Sequence, residues 1–117
     1  MKIGFIGMSH LGICHAIAAA EKGFVVKCFD ENPNKIKKLN KGFIDFFEPN
    51  LDKIFKKNKE KIIFVDSIFD MIDCDLVFFS KDIPTDNRNQ SLYIGIYKMI
   101  DKALKYLNKK TIFIILS

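Results

Sequence analysis

"KIGFIGMSHLG", residues 2–12, carries more information about this chain than any other stretch. Its first half, "KIGFIG", is a short apolar run ending in Gly7, and "HLGICHAIAAAEKG", residues 10–23, continues as an unbroken helix-forming segment closed by Gly23 as a C-cap. A strand, a tight turn and a helix therefore follow one another directly. The helix is rich in alanine (Ala16, Ala18, Ala19, Ala20), which suits close packing onto a sheet. "FVVKCF", 24–29, is β-branched and aromatic enough to read as a second strand, and it ends at Asp30.

The alternation continues to the last residue. In "ENPNKIKKLNKG", Asn32 is placed to cap a helix with Pro33 in its first turn, where a missing N–H costs nothing. Ile36 and Leu39 mark the buried side of that helix and Gly42 ends it. "FIDFFEPN", 43–50, reads as an aromatic loop whose Asn50 caps a short helix with Leu51, Ile54 and Phe55 on one face. "KIIFV" (61–65) is a third strand, "DSIFDMIDC" (66–74) a capped helical turn or two, and "DLVFFS" (75–80) a fourth strand buried on both faces. After the polar loop 81–91, the apolar residues Leu92, Ile96, Met99, Ile100, Ala103, Leu104 and Leu107 form one helical stripe, and "TIFIIL" (111–116) makes a fifth strand. Nearly all-apolar strands separated by helices predict an α/β fold: a doubly wound parallel sheet covered on both faces, of Rossmann type, with strand order 3-2-1-4-5.

Composition bounds the rest. At 117 residues, 49% hydrophobic and 28% charged, the chain is expected to be one globular domain, short for a complete two-substrate enzyme. No apolar run approaches the roughly 20 residues that cross a bilayer, and the N-terminus lacks the h-region of a signal peptide, so a cytoplasmic setting and no membrane partner are expected. Cys14, Cys28 and Cys74 are odd in number and form no metal-ligand spacing, and they read as buried thiols in a reducing compartment. The net charge of +5 is nearly all lysine, Arg88 being the one arginine, and no aromatic residues interleave with the basic ones. A solvated surface explains it better than nucleic-acid binding.

The turn at 7–12 is where chemistry is expected. After the first strand of such a sheet, main-chain N–H groups and the positive end of a helix converge, and a pyrophosphate is held by both. Gly7 serves the sharp turn and Gly12 the close contact of helix and strand, but residue 9, where backbone approaches phosphate, is serine. Its side chain is expected to push the phosphate outward slightly while its hydroxyl donates to a phosphate oxygen. Asp30, 18 residues beyond Gly12, is placed to accept from both hydroxyls of an adenosine ribose and to repel a 2′-phosphate, which favours NAD over NADP. Lys35 reaches the same region. His10 lies beside the expected diphosphate and His15 on the helix; five residues apart, they do not share a face as a metal pair would. No nucleophile, base and orienting group can be assembled, and no metal site is expected.

These residues resemble the N-terminal domain of the UDP-glucose/GDP-mannose dehydrogenases, the NAD-dependent nucleotide-sugar dehydrogenases. "KIGFIGMSHLG" is similar to the family's opening glycine loop, "AAAEKGFVVKCFDENPNKIKKLNKG" to its helix, acidic strand end and next helix, "FFEPNLDKIF" to its Glu-Pro-Gly-Leu segment, and "DLVFFSKDIPTD" to its fourth strand and proline-threonine loop. The resemblance implies cofactor contacts from Gly7, Met8, Ser9, His10, Leu11 and Gly12, from Asp30 and Lys35, and from Thr85 and Ser117. Ser9 replaces the family's middle glycine, Asn50 the glycine of the Glu-Pro-Gly-Leu segment, and Ile83 a cofactor-contacting threonine.

The family oxidises a sugar C6 alcohol to a carboxylate in two NAD-dependent steps through a thiohemiacetal and a thioester on a cysteine. That cysteine, its assisting lysine and the sugar-binding residues lie in later parts of such polypeptides, and none of Cys14, Cys28 or Cys74 matches it. Residues 1–117 are thus expected to form only the NAD-binding domain, truncated before the sixth strand, catalytically incomplete alone and prone to self-association through "TIFIIL". The competing expectation is a non-enzymatic interaction module that keeps the fold but has lost the cofactor, as Ser9 and Ile83 permit.

Overall fold

The computed structural model describes residues 1–80 and 111–115, together with positions 98, 101 and 105. The strands β1 (Lys2–Ile6), β2 (Val25–Phe29), β3 (Ile62–Val65) and β4 (Leu76–Phe79) form a parallel sheet in the order β3-β2-β1-β4. This is the expected Rossmann-like arrangement of the first four strands, with β1 central. Lys2 lies opposite Val25, Ile3 opposite Leu76, and Val26 opposite Ile62. Ile112–Ile115, here β5, runs parallel to β4 with Ile112 opposite Leu76.

Three helices connect the early strands: α1 (His10–Glu21), α2 (Pro33–Asn40) and α3 (Leu51–Lys57). Alternating side chains feed two cores, because successive residues of a strand point to opposite faces. On one face Ile3, Phe5, Val26 and Ile62 meet Ile13, Ala16, Ile17 and Ala20 of α1 and Ile36 and Leu39 of α2. On the other, Ile6, Phe29, Val77 and Phe79 meet Ile68, Met71 and Cys74. Burying each valine, leucine, isoleucine, methionine or phenylalanine side chain among these contributes about 1.5–3 kcal/mol.

The local signals act largely as expected. Gly23 follows α1 with φ 102, and the Asn32 side chain accepts from Asn34 N–H (3.0 Å) ahead of Pro33. Ser67 likewise accepts from Phe69 N–H to start a 3-10 turn, Ile68–Met71.

Three expectations need correction. Asn50 precedes α3 but does not cap it: it has φ 67 and makes no side-chain bond to the helix, since a capping side chain needs extended backbone. The fourth strand is fully buried only at Val77 and Phe79, while Leu76 and Phe78 are half-buried. Cys14 is half-buried rather than buried, because it lies on the flank of α1 and not on its sheet-facing side. Lys98, Asp101 and Lys105 are helical and exposed, but the apolar stripe of that expected helix and the loop 81–91 lie outside the described residues.

Candidate cofactor-binding site

The site grows from the end of β1. Gly7 has φ 100, a conformation that side chains rarely adopt, and its N–H donates to the Phe29 carbonyl (2.8 Å), tying the turn to the end of β2. Ser9 then caps α1. Its backbone is extended (φ −71, ψ 173), and its Oγ accepts from Gly12 N–H at 3.0 Å. Gly12 is where helix and strand touch: a Cβ there would overlap the Gly7 carbonyl oxygen and the Ser80 hydroxyl.

The first i−4 bond of α1 runs from Ile13 N–H to the Ser9 carbonyl (2.9 Å). The N–H groups of His10 and Leu11 therefore precede any intrahelical acceptor and carry the positive end of the helix dipole. No acidic residue lies in that first turn, so no carboxylate of the helix competes with a bound anion for those N–H groups.

Across the turn lies the end of β2. A cleft of about 280 Å³ is lined by Gly7, Met8, Ser9, Asp30, Asn32 and Lys35, among others. Asp30 is held by two main-chain donors: Met8 N–H to Oδ2 (2.7 Å) and Asn32 N–H to Oδ1 (2.8 Å). A carboxylate has about four lone-pair sites, so each oxygen retains one for a further donor, such as a hydroxyl of a vicinal diol. Lys35 Nζ lies 3.4 Å from the Met8 carbonyl, at the same cleft. Helical N–H groups without an acceptor among the described residues, a tethered carboxylate with spare acceptor sites and a glycine-shaped turn are a set of groups that fits the diphosphate and ribose of a dinucleotide.

The expectation for the Ser9 hydroxyl is corrected. Besides accepting from Gly12, it donates to the Ser80 carbonyl, so its single proton is committed inward and not toward a phosphate. Three residues at this site carried no signal of their own. Ser80, 1% exposed, donates Oγ to the Gly7 carbonyl (2.8 Å). Glu48 pairs through Oε1 with His10 Nε2 (2.8 Å), and Phe46 stacks on the His10 ring with centroids 4.0 Å apart. Glu48 and Phe46 fall in the stretch resembling the Glu-Pro-Gly-Leu segment, and Ser80 is the polar end of an apolar strand; their sequence positions give no hint of whom they meet.

Leu11 is half-buried on α1. His15 Nδ1 bonds the Leu11 carbonyl (2.8 Å) and takes no part in the cleft. Among the described residues no group of histidine, cysteine and acidic side chains could hold a metal. The thiols are held protonated: burial, with a lesser push from Glu48, raises Cys14; burial raises Cys28 strongly; and burial pushes Cys74 up to about 11. None is an activated nucleophile. Thr85, Ser117 and Ile83 lie outside the described residues.

A family model described as "UDP-glucose/GDP-mannose dehydrogenase family, NAD binding domain" matches residues 1–117. UDP-glucose 6-dehydrogenase of Rickettsia typhi is 30% identical over 120 residues, spanning 100% of this chain and 28% of that protein. The Rhizobium meliloti UDP-glucose 6-dehydrogenase is 33% identical over 88 residues, covering 73% of this chain and 20% of the relative. Among solved structures, the UDP-D-ManNAc dehydrogenase of Pyrococcus horikoshii superimposes with a TM-score of 0.87 at 23% identity, over 98% of this chain and 28% of that one. At that identity the likeness is one of fold. The matched stretch thus spans between a fifth and little more than a quarter of the length of these proteins.

Proposed function

From the premise that this chain belongs to the UDP-glucose/GDP-mannose dehydrogenase family, as its NAD-binding domain, we propose that it serves a nucleotide-sugar 6-dehydrogenase resembling UDP-glucose 6-dehydrogenase. Such an enzyme oxidises a sugar C6 alcohol to a carboxylate and supplies polysaccharide biosynthesis. NAD is the cofactor, and its nicotinamide accepts hydride when bound.

One observation carries the reading: the capped turn from Gly7 to Gly12 faces a tethered Asp30 across one cleft. In this reading the N–H groups of His10 and Leu11 take the diphosphate, Asp30 takes both adenosine ribose hydroxyls, and Lys35 borders the ribose. Gly7, Met8, Ser9 and Gly12 shape the turn. Thr85 and Ser117 enter on the family resemblance alone.

Residues 1–117 form a single NAD-binding domain of strand order 3-2-1-4-5 in this proposal, with the sixth strand, the reactive cysteine and the sugar-binding groups in parts of the relatives that this chain does not span. In this proposal residues 1–117 supply the cofactor side of the reaction. A cytoplasmic, reducing setting belongs to the same proposal, and the three free thiols accord with it.

Calorimetric titration tests it. NAD is expected to bind and to raise the melting temperature, NADP to bind more weakly, and Asp30→Ala to lose at least about tenfold in NAD affinity, since even one hydrogen bond to a charged group contributes about 1.5–3 kcal/mol. Absence of heat and of any thermal shift at millimolar NAD would remove the reading.

A further inference from the structure

Ser9 stands where dinucleotide-binding turns have their middle glycine, yet nothing in its conformation calls for glycine. Its φ of −71 and ψ of 173 are open to any residue, and its side chain is buried, with Oγ accepting from Gly12 N–H and donating to the Ser80 carbonyl. Ser80 answers from the end of β4, giving its N–H to the Ile6 carbonyl (2.9 Å) and its Oγ to the Gly7 carbonyl (2.8 Å). A closed ring of hydrogen bonds thus joins the end of β1, the turn, the first turn of α1 and the end of β4.

We propose that Ser9 is a positioning residue for the dinucleotide: its hydroxyl staples the start of α1 to the end of β4 and thereby aims the N–H groups of His10 and Leu11 at the diphosphate. The proposal rests on the NAD-binding reading above and adds a role that glycine could not fill. A hydroxyl has one proton and two lone pairs. The proton goes to Ser80 and one lone pair to Gly12, so Ser9 acts on the phosphate only through the amides that it orients. Both bonds commit the hydroxyl to Gly12 and Ser80. Removing the hydroxyl strands a buried N–H at Gly12 and a buried carbonyl at Ser80, and the first helical turn relaxes by shifting toward other partners. The cleft loses donor alignment, whereas the Asp30 side of the cleft, held by Met8 and Asn32, does not.

The test follows amide NMR signals of the 117-residue chain during titration with NAD, ADP-ribose and adenosine, at a temperature where every variant is folded. Ser9→Ala is expected to weaken NAD and ADP-ribose about fivefold, the scale of a lost cap of ~1 kcal/mol, and Ser9→Gly to weaken them by a smaller factor. Adenosine, which has no diphosphate, should bind all forms alike. Ser9→Thr retains the hydroxyl and should stay within about twofold of the parent. If Ser9→Ala is too unstable to titrate, Ser9→Cys, nearly isosteric and a weaker acceptor, should show a several-fold loss for the diphosphate ligands only.

Unchanged diphosphate affinity with a lowered melting temperature would overturn the proposal and leave Ser9 a structural cap. Tighter binding by Ser9→Gly, or an equal loss for adenosine, would overturn it as well. Failure of the parent chain to bind NAD or ADP-ribose removes the cofactor reading and this role together, whereas binding that is indifferent to residue 9 removes this role alone.

Discussion

Asn50 shows how much one backbone angle can carry. It has φ 67 and ψ −4, a left-handed conformation that costs an L-residue about 1–2 kcal/mol and that asparagine tolerates better than most. The segment it belongs to resembles one in which a glycine occupies this position, and the angle explains why: the chain must turn here before α3 begins at Leu51. Asn50→Ala is expected to destabilise the protein by roughly 1 kcal/mol, or about 4 °C in melting temperature, while Asn50→Gly holds or gains stability. Thermal unfolding followed by circular dichroism checks this; an alanine variant that melts with the parent would show that the left-handed turn is not held. Asparagine before a short helix reads as a cap from sequence, because the residue type and spacing suit either role and only φ separates them.

The elements at the start of the sheet are joined by charge. Asp73, just ahead of β4, accepts from Lys2 at the start of β1 and from Lys27 Nζ of β2 (2.9 Å), and Lys27 also donates to the Asp70 carbonyl (2.7 Å). Burial by itself would raise the Asp73 carboxyl, but the hydrogen bonds from Lys2 and Lys27 outweigh it and hold the group below the usual carboxylate range. The bond to Asp73 correspondingly raises Lys2.

A carboxylate depressed in the folded state stabilises fully above its unfolded value, about 3.9, and that contribution disappears as pH falls through the folded value. Asp73→Asn is therefore expected to lower the urea midpoint near neutral pH, and the gap from the parent should close on acidification. A gap that stays constant down to about pH 2, below the usual carboxylate range, would assign the loss to packing instead. A raised lysine works at the other end, its share being full below about 10.4 and lost as pH rises through the folded value.

For the whole molecule the edge that matters is the outer side of β5. Ile112 is 62% exposed and Ile114 37% exposed on β5, whose one neighbour among the described residues is β4. Apolar side chains on a strand with an open edge invite pairing with another copy. In sedimentation equilibrium the 117-residue chain is expected to gain weight-average mass with concentration, and Ile112→Lys with Ile114→Lys to restore a monomer. A clean monomer for the parent at high concentration defeats this expectation.

Amino-acid order alone was enough for the alternation of apolar strands and helices, for the order of the first four strands and for Gly7 at the turn, since side-chain period and a positive φ depend on a few neighbouring residues. It was enough, too, to bring Asp30 and Lys35 to the turn. Where the Ser9 hydroxyl points, which donors hold Asp30, and what His10 touches depend on partners 71, 22 and 38 residues away. Those groups become neighbours only when the sheet closes, because a hydrogen bond reaches about 3 Å and its direction is set by both backbones at once.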